Sequence, residues 1–231
     1  MTLLFDSLKS SFMLICSLNP ELFNIVGVSI KVSIASTLIA GLIGIPTGLA
    51  ISMRHFRGKR LLITVLNTML SIPTVVIGLF VYSFISRRGI LGPLDLLYTQ
   101  KAIIIGQIIL IAPIVTTFTI SAISRIDDRY RKTALTLGAN SWQTACVIMR
   151  EARFGIMGAV ILSFGRVIAE VGISMMLGGN AKGFTRTMTT AMALEYDKGE
   201  FVLSIALGLI LLLVSFSVNI VFNYFQGRTT N

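Results

Sequence analysis

Long stretches without charged residues constrain this chain more than any other feature of its sequence. No Asp, Glu, Lys or Arg falls in four intervals, which run from Lys31 to Arg54, Arg60 to Arg87, Lys101 to Arg125 and Glu200 to Arg228. A helix that crosses a bilayer needs about 20 apolar residues, so each interval can hold one crossing. A fifth apolar stretch, 154–177, contains only Arg166 and Glu170 as charged residues. The sequence therefore predicts an all-α integral membrane protein with about five transmembrane helices.

Composition agrees with this class, since 54% of the 231 residues are hydrophobic, 13% are charged and the mean hydropathy is +0.84. Such values lie far from those of soluble domains. We expect one membrane domain over 22–231, preceded by an N-terminal segment, 1–21. The predicted spans are about 22–53, 61–86, 102–123, 154–177 and 201–225, and the longest connection is the loop 124–153. Pro46, Pro73 and Pro113 fall inside the first three spans and are expected to bend them, while Gly41, Gly44 and Gly48 allow close packing.

The N-terminal segment shows helical periodicity without a membrane-spanning length. Its apolar residues recur at helical spacing between polar ones, and they are Leu4, Phe5, Leu8, Phe12 and Ile15. This pattern predicts a helix that lies in the membrane interface.

Lys and Arg in the short connections predict the orientation. Two connections are rich in cations: the loop from Arg54 to Arg60, which includes His55, and the loop 124–153. The positive-inside rule places both in the cytoplasm, with the N-terminus outside and the C-terminus cytoplasmic. The formal net charge of +10 then reflects topology and anionic headgroups, so no nucleic-acid partner is expected.

No residue pattern predicts a catalytic centre, a metal site or a cofactor. Cys16 and Cys146 are predicted near opposite membrane faces, and His55 is the only histidine. No phosphate-binding Gly-x-x-x-x-Gly-Lys-[Ser/Thr] loop occurs. An intramembrane enzyme would need paired acids or metal ligands, and a self-sufficient secondary transporter is disfavoured by the absence of an inverted repeat. Both remain alternatives from a different class.

The loop 124–153 predicts a helix, a break and a second helix. Tyr130, Ala134 and Leu137 follow helical spacing before Gly138, and Trp142 begins another apolar pattern. Gly138 can adopt a positive φ, and Ser141 can cap the second helix. A short element projecting from the membrane is expected.

This loop resembles the cytoplasmic signature of ABC importer permeases, Glu-Ala-Ala, three residues, Gly, nine residues, Ile-x-Leu-Pro. Ala134, Gly138 and Ile148 agree with it, whereas Lys132 replaces the Glu and Arg150-Glu151 replaces Leu-Pro. The chain resembles more closely the tungstate-type permeases of this superfamily, and the segments that carry the likeness are 134–140, 150–153, 164–172, 175–180 and 185–195.

The resemblance implies a type I ABC importer transmembrane domain without its own ATPase site, in the plasma membrane of a prokaryote. It implies a homodimer of this subunit, two cytoplasmic ATP-binding subunits and an extracytoplasmic oxyanion-binding protein. The implied substrate is tungstate, with molybdate or another oxyanion as the alternative.

Two groups of candidate site residues follow. The first would couple the chain to the ATPase through a lever from Ala134 to Trp142, and it comprises Thr133, Ala134, Leu137, Gly138, Ala139, Asn140 and Trp142. The alternative is a surface helix whose Trp142 rests on headgroups. The second would line the translocation pathway or its gate, and it comprises Arg166, Glu170, Met175, Met176 and Leu177.

Alternatives also remain for this second group and for the loop that follows it. Arg166 and Glu170, four residues apart on one predicted helix, can pair, so they could equally be a structural ion pair. The Met pair could be simple core. The loop 178–199, with a short helix expected over Thr185 to Tyr196, either faces the binding protein or is a solvated connector.

Overall fold

The computed structural model describes residues 2–17, 19–54 and 56–227, together with the side chains of 8–17, 19–54 and 56–224. His55 and the side chains of Leu4 and Phe5 therefore lie outside the described part. The helices are α1 (Thr2–Cys16), α2 (Pro20–Met53), α3 (Lys59–Met69), α4 (Thr74–Ile85), α5 (Gln100–Ser124), α6 (Asp128–Thr136), α7 (Ser141–Glu151), α8 (Arg153–Ile168), α9 (Gly172–Gly178), α10 (Met188–Asp197) and α11 (Phe201–Gly227). A 3₁₀ turn covers Gly92–Leu94.

Three of the described helices, α2, α5 and α11, are long and apolar enough to cross a membrane. Two pairs of shorter helices could each form one further span with a bend in it. Helices α3 and α4 are bent by 99° relative to each other, and α8 and α9 are bent by 59°. The predicted spans 61–86 and 154–177 are therefore not single helices. Pro73 cannot donate a backbone hydrogen bond and disfavours helical geometry at the residue before it, which explains the first break.

Helices α2 and α5 run parallel in a regular register. The Ser36 hydroxyl donates to Oε1 of Gln107 at 2.7 Å, and about two and three turns further on Gly44 faces Val115 and Gly48 faces Thr119. A Cβ added at Gly44 would lie 2.9 Å from Val115, and one at Gly48 would lie 2.8 Å from Thr119. The expected close packing is thus confirmed for these two glycines, because any side chain there would separate the helices.

This parallel pair gives the bundle two ends, which we name after one residue each. The Gly138 end carries Met53, Ser124 and helices α6 and α7. The Tyr98 end carries the first residues of α2 and α5, the segment 86–99 and the segment 179–199. The core between the ends is built mainly from α2, α4, α5, α8 and α9, and its most buried members include Ala40, Ile111, Val167, Ile173 and Leu177.

The two terminal helices pack on each other at the periphery. The Ser11 hydroxyl of α1 donates to the Val202 carbonyl of α11 at 2.8 Å. Leu8 and Phe12 point away from the protein and are exposed. The described part of α11 keeps a broad apolar surface, as expected for contact with lipid, and it includes Leu212, Leu213, Phe216 and Ile220.

Candidate functional site

The turn between α6 and α7 is closed by its own backbone. Gly138 has a φ of +82°, its N–H donates to the Leu135 carbonyl at 3.0 Å, and the Ala139 N–H donates to the Ala134 carbonyl at 3.0 Å. This pair of bonds is the Schellman arrangement that ends a helix at glycine. The prediction that Gly138 turns the chain at a positive φ is confirmed.

The start of α7 differs from the sequence-based expectation. Asn140, not Ser141, is the N-cap: its side chain accepts from the Gln143 N–H at 2.8 Å, and the Gln143 side chain accepts from the Asn140 N–H at 2.8 Å. Such a reciprocal capping box satisfies two donors that the helix itself cannot. Ala134 to Trp142 thus covers the end of α6, the turn and the start of α7, and the predicted order of a helix, a break and a second helix is confirmed.

Burial divides the residues of this turn into anchors and projections. Ala134 is only 8% exposed, and α7 is anchored by its buried Ala145 and Ile148. By contrast, Leu137 is 82% exposed and Trp142 is 71% exposed. Large apolar side chains with this much exposed surface are typical of a surface that is covered by a partner protein or by lipid headgroups. We call Leu135, Leu137 and Trp142 the exposed turn. Thr133 and Asn140 are also exposed, and Ala139 is half-buried.

Leu135 was not among the residues predicted from the sequence, although it is 52% exposed. It follows the buried Ala134 directly, and successive residues on a helix point about 100° apart. The exposure of Leu135 could therefore have been predicted from the sequence only if the inward orientation of Ala134 had been known.

The break between α8 and α9 holds the predicted charged pair. An Arg166 guanidinium nitrogen lies 2.9 Å from Oε2 of Glu170, and the Glu170 side chain is 3% exposed whereas that of Arg166 is 43% exposed. The pairing is as predicted, but the two residues do not share a helix, because α8 ends at Ile168 and Glu170 lies in the break.

Glu170 also supports the backbone of the break. Its Oε1 accepts from the Ile173 N–H at 3.2 Å, and its carbonyl accepts from the Thr189 hydroxyl at 2.7 Å. Gln107 of α5 donates to the Val167 carbonyl at 3.4 Å. Interrupted helices inside a membrane need such partners for their freed backbone groups. We call Arg166, Glu170, Gln107 and Thr189 the brace.

The three candidate gate residues occupy different environments on α9. Leu177 is fully buried in the core, Met176 packs against Gly78 of α4, and Met175 is 38% exposed. Of the three, Met175 reaches solvent or a partner most openly. All three lie towards the Tyr98 end of α9, whereas Glu170 precedes its first residue, so the structure does not bring them together with the charged pair.

Segment 179–199 forms a turn followed by α10, which begins at Met188 rather than at the expected Thr185. Thr187 is the N-cap, and its side chain forms a capping box with Thr190. Met188 and Glu195 are buried. A solvated connector would not be packed in this way.

Three apolar helices and two bent helix pairs long and apolar enough to cross a bilayer are the features of a membrane-embedded protein. Comparison with known proteins specifies the class. The chain belongs to the family described as binding-protein-dependent transport system inner membrane component, which matches residues 40–231.

Several relatives are similar along nearly the whole chain. The tungstate uptake system permease protein of Peptoclostridium acidaminophilum is 38% identical over 94% of this chain and 95% of its own. The protein of the same name from Campylobacter jejuni is 37% identical over 94% and 91%. The molybdenum transport system permease protein of Escherichia coli K12 is 28% identical over 81% and 89%.

Solved structures of importers share the fold. A chain of a bacterial ABC transporter for alginate aligns with a TM-score of 0.78 at 17% identity, covering 98% of this chain and 84% of its own. A chain of the methionine ABC transporter aligns with a TM-score of 0.71 at 16% identity, covering 89% and 94%. The fold is thus that of the type I ABC importer permeases, and the chain is a transport component of an inner membrane.

Proposed function

We propose that this protein is the permease subunit of an ATP-driven importer for tetrahedral oxyanions, with tungstate as the preferred substrate. The observation that carries the coupling role is the exposed turn, whose apolar side chains project from a rigid, anchored support. The similarity to tungstate uptake permeases over almost the full length favours the substrate. Molybdate is the second candidate, because a molybdenum permease is similar over most of the chain.

The proposed topology has five crossings: α2, the α3–α4 pair, α5, the α8–α9 pair and α11. The Gly138 end would face the cytoplasm and the Tyr98 end the outside, so the N-terminus is outside and the C-terminus cytoplasmic. Support comes from the cations at the Gly138 end, which are exposed in large part, including Arg129 and Lys132. The segment 1–21 would lie at the outer interface, where Leu8 and Phe12 could enter the lipid.

The proposed assembly is a homodimer of this subunit in the plasma membrane of a prokaryote, with two cytoplasmic ATP-binding subunits and an outer binding protein. We infer that the chain has no ATPase site of its own, so its energy would come from a partner. Leu135, Leu137 and Trp142 would fill an apolar pocket on the ATPase, since interface energy concentrates in buried aromatic and aliphatic anchors. Thr133, Gly138, Ala139 and Asn140 would shape that contact, and Ala134 would anchor it.

Arg166 is the proposed pathway contact for the anion. Its guanidinium is half exposed while its partner Glu170 is buried, so one face of the cation remains available. Glu170 would compete with the anion for Arg166, and this competition would keep the site weak enough to release its substrate. Met175 would line the path nearer the Tyr98 end, with Met176 and Leu177 behind it.

Reconstituted vesicles provide the test. The permease is co-purified with its ATPase, and ATP hydrolysis is measured with binding protein loaded with tungstate, molybdate or sulfate. We expect the strongest stimulation with tungstate and a weaker one with molybdate. No response to any of the three, with the ATPase confirmed as bound, would contradict oxyanion import, and failure to co-purify an ATPase would favour a secondary transporter or an intramembrane enzyme.

A further inference from the structure

The Tyr98 end carries two groups of cationic side chains with opposite electrostatic surroundings. In the first group each cation has an acidic neighbour: Lys182 lies 2.8 Å from Glu21, and Lys198 lies 3.1 Å from Glu195. Arg186, whose side chain is 11% exposed, lies 3.7 Å from Glu195 and 3.9 Å from Glu21. Two carboxylates thus offset most of the charge of three cations.

The second group, Arg87 and Arg88, follows α4 directly and is not neutralised in this way. Both residues are exposed, and neither forms an ion pair with any residue in the described part of the chain. They line a cavity of about 640 Å³. The other side chains in its wall are Tyr82, Ile85, Ser86, Asp95, Leu97 and Tyr98.

This lining has the chemistry of an oxyanion site. Guanidinium groups present several N–H donors in a planar fork, and they bind tetrahedral anions through charge-assisted hydrogen bonds. The hydroxyls of Tyr82, Ser86 and Tyr98 add donors, and Asp95 is the single carboxylate in the wall. The cavity volume lies within the range of small-ligand sites.

We propose that this cavity is a receiving site for a tetrahedral oxyanion, which it takes up as the binding protein releases it. The proposal rests on the proposed function, because it assumes an oxyanion importer with the Tyr98 end outside. It extends that function by naming a second anion site on the permease, at Arg87 and Arg88, in addition to the proposed pathway contact at Arg166.

The wall of the cavity is held by backbone contacts, so the charged groups have a fixed support. Asp95 and Tyr98 have positive φ values of 44° and 61°, a conformation that non-glycine residues rarely adopt and that clusters at functional sites. The Tyr98 N–H donates to the Leu177 carbonyl at 2.9 Å, and the Leu91 N–H donates to the Phe84 carbonyl at 2.9 Å. The loop is thereby tied both to α9 and to α4.

Tyr98 also connects this cavity with the candidate gate. It lines a second cavity of about 670 Å³ whose wall includes Met175, Met176 and Gly179. Its ring is so close to Gly179 that a Cβ there would lie 2.6 Å from it. An anion leaving Arg87 and Arg88 would therefore pass Tyr98 to reach α9, which leads to the break beside Arg166.

Equilibrium dialysis with the assembled transporter in phosphatidylcholine nanodiscs tests the proposal without ATP or binding protein. Bound tungsten is measured by elemental mass spectrometry for the wild type and for Arg87→Ala with Arg88→Ala. The matched control is Lys182→Ala with Lys198→Ala, which removes two cations from the same end. We expect tungstate affinity to fall at least about tenfold in the arginine variant and to stay within about twofold in the control.

Arg87→Lys with Arg88→Lys keeps the charge and should retain part of the affinity, because an ammonium lacks the planar fork of donors. Thermal unfolding and gel filtration of each variant separate loss of binding from loss of fold. If the alanine variant does not fold, the lysine variant carries the same comparison, since it alters donors without adding unpaired groups. A lysine variant with wild-type affinity alongside a binding-deficient alanine variant would still support a charge-based site.

Other results would overturn the proposal. Absent tungstate binding to the wild type, or equal binding to the alanine variant, would remove the site. If phosphatidylglycerol nanodiscs abolish tungstate binding at constant ionic strength, Arg87 and Arg88 bind lipid phosphate instead. If dialysis is unchanged but uptake with binding protein falls, the two arginines contact that protein. Failure of the proposed function is distinguishable, because it would show as an ATPase that no loaded binding protein stimulates.

Discussion

The turn between α6 and α7 and the break between α8 and α9 both interrupt a helical path, and they satisfy the exposed backbone groups in opposite ways. The turn uses short-range bonds, with Gly138 ending one helix and Asn140 capping the next. The break uses its own Glu170 and, in addition, side chains from other helices: Gln107 comes from α5 and Thr189 from α10. The turn is closed by its own residues alone, whereas the break also needs the rest of the bundle.

The two interruptions are therefore expected to have different roles: the turn contacts a partner, and the break supports the helix bundle. Because the turn needs nothing beyond its neighbours, its large side chains remain available for a partner, and Leu137 and Trp142 are exposed. Because the break recruits helices α5 and α10, a change there should be felt in the stability of the whole bundle. We therefore expect substitutions in the brace to lower stability and substitutions in the exposed turn to lower coupling.

The largest expected effect is that of Glu170→Ala. The change removes the partner of Arg166 and the acceptor for the Ile173 N–H, so we expect stability to fall by about 2–4 kcal/mol. Thermal unfolding of the purified complex in detergent would measure this loss. Glu151→Ala is the control, because Glu151 is exposed and forms no ion pair within the described residues. Equal unfolding midpoints for the two variants would contradict the brace.

A double variant tests whether the main role of Arg166 is to pair with Glu170. If pairing is the main role of Arg166, then Arg166→Ala with Glu170→Ala should be more stable than Glu170→Ala alone, since no unpaired charge remains. Normal stability with lost uptake in Arg166→Ala would instead favour the pathway role.

The next effect concerns the exposed turn. Leu137→Ala with Trp142→Ala should weaken the contact with the ATPase by about 2 kcal/mol or more, while the unfolding midpoint of the permease stays unchanged because both side chains are exposed. Binding of the ATPase to permease in nanodiscs measures the loss. Leu94→Ala with Tyr196→Ala is a suitable control, since these apolar residues are similarly exposed at the Tyr98 end. Reduced ATPase binding by both variants would argue against a specific surface.

A smaller effect is expected for Gly138→Ala. A Cβ at this position would meet nothing within 4 Å, so the cost is purely conformational and amounts to about 1 kcal/mol for a non-glycine residue at positive φ. Local hydrogen exchange at 135–140 should rise, and ATP hydrolysis should become less dependent on loaded binding protein. Gly138→Asn should be milder, because Asn tolerates this conformation. Insertion into the membrane should be normal in both variants, and its loss would mean that the turn is structural.

The features that were predicted correctly from the sequence depend on local composition. The features that were missed depend on contacts between residues far apart in the sequence. Charge-free intervals predicted α2, α5 and α11, since bilayer thickness sets their length. The bend at Pro73 was predicted and is confirmed, whereas the break at 169–171 was missed, because an apolar run looks the same whether or not it bends. For Glu170, the spacing from Arg166 predicted the pair correctly, although the helix they were assumed to share ends before Glu170.

At the turn, the cap was assigned to Ser141 although Asn140 holds it. Both residue types cap helices well, and the deciding feature is Gln143, which stands at the third helical position only if Asn140 is the cap. Gly44 and Gly48 indicated a close approach, but their partner helix could not be known from one sequence. No sequence pattern distinguishes Arg87 and Arg88 from other loop cations, and only the structure shows that they lack the carboxylates that accompany Lys182 and Lys198.

The smallest expected effect, at Asn140, tests whether the turn is independent of the bundle. Asn140→Ala removes the bond to the Gln143 N–H and should cost about 0.5–1 kcal/mol, and Asn140→Ser should restore most of it. Because Ala145 and Ile148 still anchor α7, the loss should appear only as faster hydrogen exchange at residues 141–144, with an unchanged unfolding midpoint. Faster exchange that extends to α5 or α8 would show that the turn is supported by the bundle, as the break is, and the distinction between the two interruptions would fail.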